Sequence, residues 1–237
     1  MAAIGLADVG LYQSSPADAI PALEKGITAD LAAKDQASAA IKLTALASAN
    51  LLAGNKSQAL SAADRAVAAN KSESTLFLAG RTYIEAGQLA KALALASQMQ
   101  SQLGPEPQLY GKLLEGEARL SQGDAKQAIN LFQAAQNIAD SWFGRFDLGR
   151  AYLLAGLNTE ADTEFENCLK RRGEAAAIFL DDVPTYRFLP QVYYYMGRAQ
   201  EALKSPAAKD SYRNFISIEE KGTGPLLADA RKRLASN

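Results

Sequence analysis

One spacing recurs four times along this 237-residue chain. A small residue is followed seven positions later by Gly and five after that by Ala: Ala47, Gly54 and Ala59; Gly80, Gly87 and Ala92; Gly116, Gly123 and Ala128; Gly149, Gly156 and Ala161. Successive copies start 33, 36 and 33 residues apart. A period of this length marks a stack of supersecondary units, none of which can bury its apolar face alone.

Each copy reads as a helical hairpin. The first small residue sits inside helix one where helix two crosses, because side chains at a crossing set the interaxial distance. The Gly ends helix one in a left-handed turn. Asn, Gln or Asp follows in Gly54-Asn55, Gly87-Gln88 and Gly123-Asp124, and the next helix starts. The Ala faces back from helix two, with Ala63, Ala96, Phe132 or Phe165 one turn further along the same face. The composition agrees: 47 of the 237 residues are Ala, which suits closely packed helices.

The pattern resembles the tetratricopeptide repeat (TPR) family, on Gly80, Tyr83, Gly87 and Ala92 in one copy and Gly149, Tyr152, Gly156, Ala161 and Phe165 in another. The resemblance is clearest over about 40–170. It implies an all-α, right-handed superhelix of five or six hairpins whose first helices line a concave groove. The Pro that the family places at the repeat end is approached only in Pro105–Pro107.

Weaker copies flank the clear ones. Ala7, Ser14 and Ala19 keep the spacing, Ser15-Pro16 is a helix start, and Pro21 falls inside the following helix and should bend it. Gly197 is followed by the turn Lys204-Ser205-Pro206, without a Gly, and by Ala208, Tyr212 and Phe215 on helix two. Gly224-Pro225 opens a last helix over about 225–235, with Leu227, Ala230 and Leu234 on one side, expected to cap the stack. The chain thus reads as one domain over 1–237, interrupted only at 171–190. Gly149 and Gly197 are 48 residues apart, and an extended helix or a surface loop must absorb the excess. Asp182 and Pro184 read as a loop leading into a helix start, and Pro190 as another.

The run from Asp181-Asp182-Val183-Pro184-Thr185 to Arg198-Ala199-Gln200-Glu201 adds a second resemblance, over roughly the last 70 residues. It is similar to the ends of large bacterial proteins that carry a serine/threonine kinase-like domain or a DNA-binding winged helix before their repeats. This implies the repeat domain of a larger bacterial signalling protein, soluble and cytoplasmic by default, with a membrane-anchored parent left open. The chain holds no glycine-rich phosphate loop, His-Arg-Asp run or Asp-Phe-Gly.

Charge and residue usage exclude other classes. Lys and Arg total 25 against 26 Asp and Glu, so no polyanion-seeking balance points to nucleic acid. No apolar run is long enough to insert in a membrane, and the first residues do not form a signal peptide. With no His and one Cys, His-dependent catalysis, zinc and haem sites and disulfides fall away. No enzyme activity, cofactor or metal is expected.

Function must then come from side chains on the first helices. Phe77 and Arg81 are four apart, Phe146 and Arg150 repeat the pair, and Tyr194 and Arg198 repeat it again. Each Arg directly follows the crossing Gly, and the intervening repeat carries Leu113 and Glu117 instead. One reading is a peptide-binding groove of Phe77, Arg81, Glu117, Phe143, Phe146, Arg150, Tyr194 and Arg198, in which Arg forks bind carboxylates beside aromatic walls. The other is structural: Arg81 with Glu85 and Arg198 with Glu201 form surface pairs, and the aromatics are core. Arg150 has no acid ahead at either helical spacing. Cys168 reads as a core thiol, and Asp181-Asp182 as a loop and cap rather than a metal or acid pair. Lys170-Arg171-Arg172 reads as a basic helix end. One or two of Tyr193, Tyr194 and Tyr195 should be core. The expected function is docking of a peptide segment or a partner's helix in the groove. The alternative is a structural or dimerisation module, its groove empty or filled by 171–190, and a homodimer is possible on either.

Overall fold

The computed structural model describes residues 2–178, 181–183 and 185–236. Six helical hairpins follow one another: α1 (Ala2–Tyr12) with α2 (Pro16–Ala32), α3 (Gln36–Leu52) with α4 (Lys56–Ala69), and α5 (Glu73–Glu85) with α6 (Leu89–Gln100). Then come α7 (Pro105–Ser121) with α8 (Ala125–Gln136), α9 (Trp142–Leu154) with α10 (Asn158–Lys170), and α11 (Leu189–Ala202) with α12 (Ala208–Ile218). A last helix, α13 (Pro225–Ser236), closes the end. This is an all-α helical-repeat superhelix. Among the described residues no helix is long and apolar enough to cross a membrane.

The repeat residues stand where their spacing required. Gly54, Gly87, Gly123 and Gly156 take φ of 76°, 75°, 82° and 77°, and each ends the first helix of its hairpin. At Gly87 this lets Gln88 N–H reach back to the Tyr83 carbonyl at 2.7 Å, capping α5. The outer copies force ordinary side chains into the same place, with φ of 53° at Ser14 and 57° at Lys204. A side chain costs about 1–2 kcal/mol there, partly offset by the greater chain entropy of Gly. Lys204→Gly should therefore stabilise the protein by about 0.5–1 kcal/mol, and a thermal melt that falls instead would show that Lys204 contributes more than its backbone.

The crossing glycines are in van der Waals contact with the partner helix. A Cβ on Gly149 would lie 2.7 Å from Phe165 on α10, and one on Gly197 would lie 2.8 Å from Tyr212 on α12. Gly116 faces Phe132 in the same way. Gly80 differs. Its hairpin has Ala96 at the Phe position, and Leu114 from the next repeat fills the space. Tyr83 and Tyr152 reach back to the preceding second helix, at Asp64 (2.6 Å) and Gln133 (3.0 Å). One apolar core runs from Ala7 to Ala199, and a smaller one holds Tyr212, Phe215, Leu227 and Ala230 under α13.

The 171–190 stretch corrects one expectation. Among its described residues it holds no extended helix, and after residue 184 it does not run over the surface. A 3-10 turn (Arg172–Ala176) leads to β1 (Ala177–Ile178), paired antiparallel with β2 (Asp181–Asp182). A second 3-10 turn (Tyr186–Phe188) then runs into α11, whose first turn holds Pro190. Phe179, Leu180 and Pro184 lie outside the described residues, as do the side chains of Asp181 and Asp182. Thr185, Arg187, Phe188 and Leu189 are buried, because the segment turns inward across the axis to the N-terminal hairpin. There Tyr186 N–H donates to Asp8 (3.3 Å) and the Tyr186 ring stacks on Tyr12 (5.4 Å), while Arg187 donates to Ser48 Oγ (2.9 Å) on α3 of the second hairpin.

Candidate functional site

The odd-numbered helices contact one another along the stack and form its inner wall. Three of them share one buried charge network, apart from Lys42 of α3, which is buried and pairs with Asp30 of α2. Arg81 on α5 forks onto Asp147 on α9, at 2.7 and 3.3 Å. Arg150 on α9 donates to both oxygens of Glu117 on α7, at 2.8 and 3.0 Å, and to Asp147 at 3.1 Å. Arg81 also lies 3.7 Å from Glu117. The Asp147 side chain is wholly buried, and those of Arg81 and Glu117 nearly so. Burial pushes Glu117 upward, but Arg150 and Arg81 outweigh it and hold the carboxyl below its usual range. Burial raises Asp147, with Arg81 opposing.

Arg81 and Arg150 thus have internal partners, and the expected Arg81–Glu85 pair is not made. Arg81 turns to Asp147 because that carboxylate is desolvated and forks with it, whereas Glu85 is exposed. The missing partner of Arg150 comes from the preceding repeat, 33 residues back. Glu117, which broke the aromatic–Arg pattern, is the counter-ion placed between the two cations. Asp147 was missed. Its signal was a lone acid in a helix whose other charged residues are Arg145 and Arg150, Trp142-Phe143-Gly144-Arg145-Phe146-Asp147-Leu148.

The aromatics of the stripe belong to the core. Phe77, Phe143 and Phe146 are at most 1% exposed and Tyr194 is 3% exposed. Arg81 lies over Phe77, Phe143 and Phe188, and Arg150 over Phe146 and Tyr195. Arg198 stands apart. It donates to the Tyr194 hydroxyl (3.2 Å), while Glu201 pairs with Arg233 (2.6 Å) instead of with Arg198. Arg171 pairs with Asp140 (2.8 Å) and Glu174, so it does more than favour a helix end. Cys168 is buried, burial pushes its thiol up, and its carbonyl accepts from Trp142 Nε1 (3.0 Å). Of the three tyrosines, only Tyr194 is fully buried.

One space left open on the concave side is a chamber of about 350 Å³; another, of about 560 Å³, lies between Asp8, Lys42 and Val183. The walls of the first come from five inner helices, Leu52 of α3, Glu85 of α5, Glu117 of α7, Arg150 of α9 and Tyr195 of α11, with Glu219, Gly224 and the start of α13 as the far side. Phe188 bounds it on the filled part of the axis. The linker between α12 and α13 reaches the N-terminal turn. Glu219 is hydrogen-bonded to Ser14, and a Cβ on Gly222 would lie 2.8 Å from that of Ser14. The superhelix is therefore clasped end to end around the chamber.

Glu219 is 8% exposed, and burial raises it from 4.5 to about 7, against its bond to Ser14. The folded state holds the proton more tightly than the unfolded chain. This contribution to stability is full below about pH 4.5 and is lost as pH rises through about 7. Glu219→Gln should stabilise the protein by roughly 1–3 kcal/mol at pH 8 and hardly at all at pH 4. Urea unfolding at both values checks this, and an equal change at both would remove the burial argument.

Paired inner and outer helices, turn glycines and crossing glycines define a TPR-type solenoid closed around a small axial chamber. No protein-family model matches the sequence, and no curated protein does. Solved structures share the fold. TTC0263, a thermophilic TPR protein of Thermus thermophilus, superposes with a TM-score of 0.59 at 18% identity, over 82% of this chain and 96% of that one. A chain of the APC/C hetero-tetramer Cut9-Hcn1 gives 0.57 at 17% identity, over 92% of this chain and 39% of its own length. At such identities the likeness concerns the fold.

Proposed function

We propose that the chain is a non-catalytic protein–protein interaction scaffold that takes part of a partner's peptide segment into the axial chamber. The observation that carries this reading is the chamber itself. It is a part of the concave side that the 185–190 segment leaves open, and all five inner helices from α3 to α11 contribute to its walls. At about 350 Å³ it suits one or two side chains rather than an extended peptide. In this reading Arg81, Glu117 and Arg150 serve as the floor, and Phe77, Phe143 and Phe146 support them from the core. On the resemblance of its last 70 residues, we place the chain in a larger bacterial signalling protein.

The filling of the axis by Phe188 favours a second reading, a spacer or dimerisation module without a peptide ligand. One paired experiment separates them. Gln191 lines the chamber and is half-buried, so Gln191→Trp should block it without disturbing the core. A partner retained from lysate by the wild type and lost by a Gln191→Trp variant of unchanged melting temperature supports the scaffold. Equal retention, or a dimer by light scattering whose fraction does not change with concentration and no captured partner, supports the second reading.

A further inference from the structure

We propose that the chamber receives a basic side chain of the partner segment, lysine or arginine, with its charged head between Glu85 and Glu219. This rests on the scaffold reading and names the chemistry of what enters. The charge count around the axis carries it. Arg81 and Arg150 are balanced by Glu117 and Asp147, all four joined by ion pairs. One more cation faces the axis, Arg187, and its field acts on Asp8 and Glu85. Three guanidiniums thus meet five carboxylates: Asp8, Glu85, Glu117, Asp147 and Glu219. Among the described residues neither Glu85 nor Glu219 has a Lys or Arg nitrogen within ion-pair distance. Both line the chamber and its narrow extension toward Arg187.

The walls select a long basic side chain over a bare cation. Leu51, Leu52 and Leu226 line the same space, with Leu52 44% exposed. Lysine and arginine lay an apolar stem along such a surface and present charge only at the tip. A hydrated metal ion gains nothing from it, and no group of three or more metal-ligating side chains occurs among the described residues. Arg81, which lines the chamber, also keeps its Nε–H buried without an acceptor. A segment entering here brings backbone carbonyls as well as its side chain, and buried donors of this kind are normally satisfied.

Four capped pentapeptides, Ac-Ala-Ala-X-Ala-Ala-NH2 with X as Lys, Arg, Glu or Leu, test this by NMR titration at pH 8, above the range in which Glu219 gives up its proton. The Lys or Arg peptide should shift resonances of Leu52, Tyr195 and Leu226 saturably, and the Glu and Leu peptides should not. Which of the two basic peptides binds more tightly identifies the side chain. The Glu85→Gln/Glu219→Gln variant keeps the shape of both side chains and should weaken binding at least tenfold with its melting temperature maintained or raised. Equal binding of the Leu peptide, no saturable shift with either basic peptide, or full binding by the double variant would overturn the assignment. Suppose Gln191→Trp releases a natural partner that the double Gln variant still holds. The scaffold reading then stands and this inference falls. If Gln191→Trp retains the partner, the scaffold reading is the one that fails.

Discussion

Asp147→Ala should lower stability by about 3–5 kcal/mol, the largest single effect expected of any polar residue in the chain. Asp147 is wholly buried and takes both guanidinium nitrogens of Arg81, whose own side chain is 4% exposed. Removing the carboxylate leaves a buried cation with only Glu117, 3.7 Å away, as counter-ion. Arg81→Met with Asp147→Leu should recover most of the loss, because similar apolar volume in place of a buried pair is often neutral or stabilising. Urea unfolding of Asp147→Ala and of the double variant checks both statements. If Asp147→Ala unfolds within about 1 kcal/mol of wild type, the network is not desolvated as its burial implies. The outcome also bears on function. A large loss means that the Arg81 and Arg150 charges are committed to joining α5, α7 and α9, and are not held ready for a ligand.

Gly149→Leu should cost about 1–3 kcal/mol by overpacking, because even a Cβ at that position meets Phe165 at 2.7 Å. The atoms it meets are ring carbons of the fully buried Phe165, which has little free space to turn into. Phe165→Leu in the same chain should relieve part of it, giving a coupling of about 0.5–3 kcal/mol between the sites in a double-mutant cycle. Additive effects would mean that the two residues do not meet. The same change at Gly173, where a Cβ would have nothing within 4 Å, should be nearly silent and serves as the control.

These residues also separate what was legible in the sequence from what was not. The hairpins, their left-handed turns and the glycine crossings follow from local rules. A glycine nine residues before and sixteen before Phe165 states both where helix one ends and where helix two crosses it. The capping helix was readable for the same reason, since Leu227 and Ala230 repeat on one face. The aromatic–Arg stripe was visible as a pattern, but its meaning was not. Residues four apart on one helix give a face and do not say what covers that face. Here Arg81 finds its acid 66 residues away, and Arg150 finds one 33 residues away, across neighbouring repeats. The fate of 171–190 was hidden likewise, because its inward course depends on Asp8, Tyr12 and Ser48 at the far end of the chain.

The sequence by itself determined a stack of five or six helical hairpins with a cap, because helix ends, turns and crossings are encoded within about forty residues of one another. Only the tertiary structure decided that the groove is partly filled, that Arg81 and Arg150 are spent on internal pairs, and that a small chamber with two unpaired carboxylates remains. The physical reason is range. Local backbone geometry depends on near neighbours in the chain. The state of a charge depends on whichever groups share its desolvated surroundings, and superhelical winding brings those together from opposite ends.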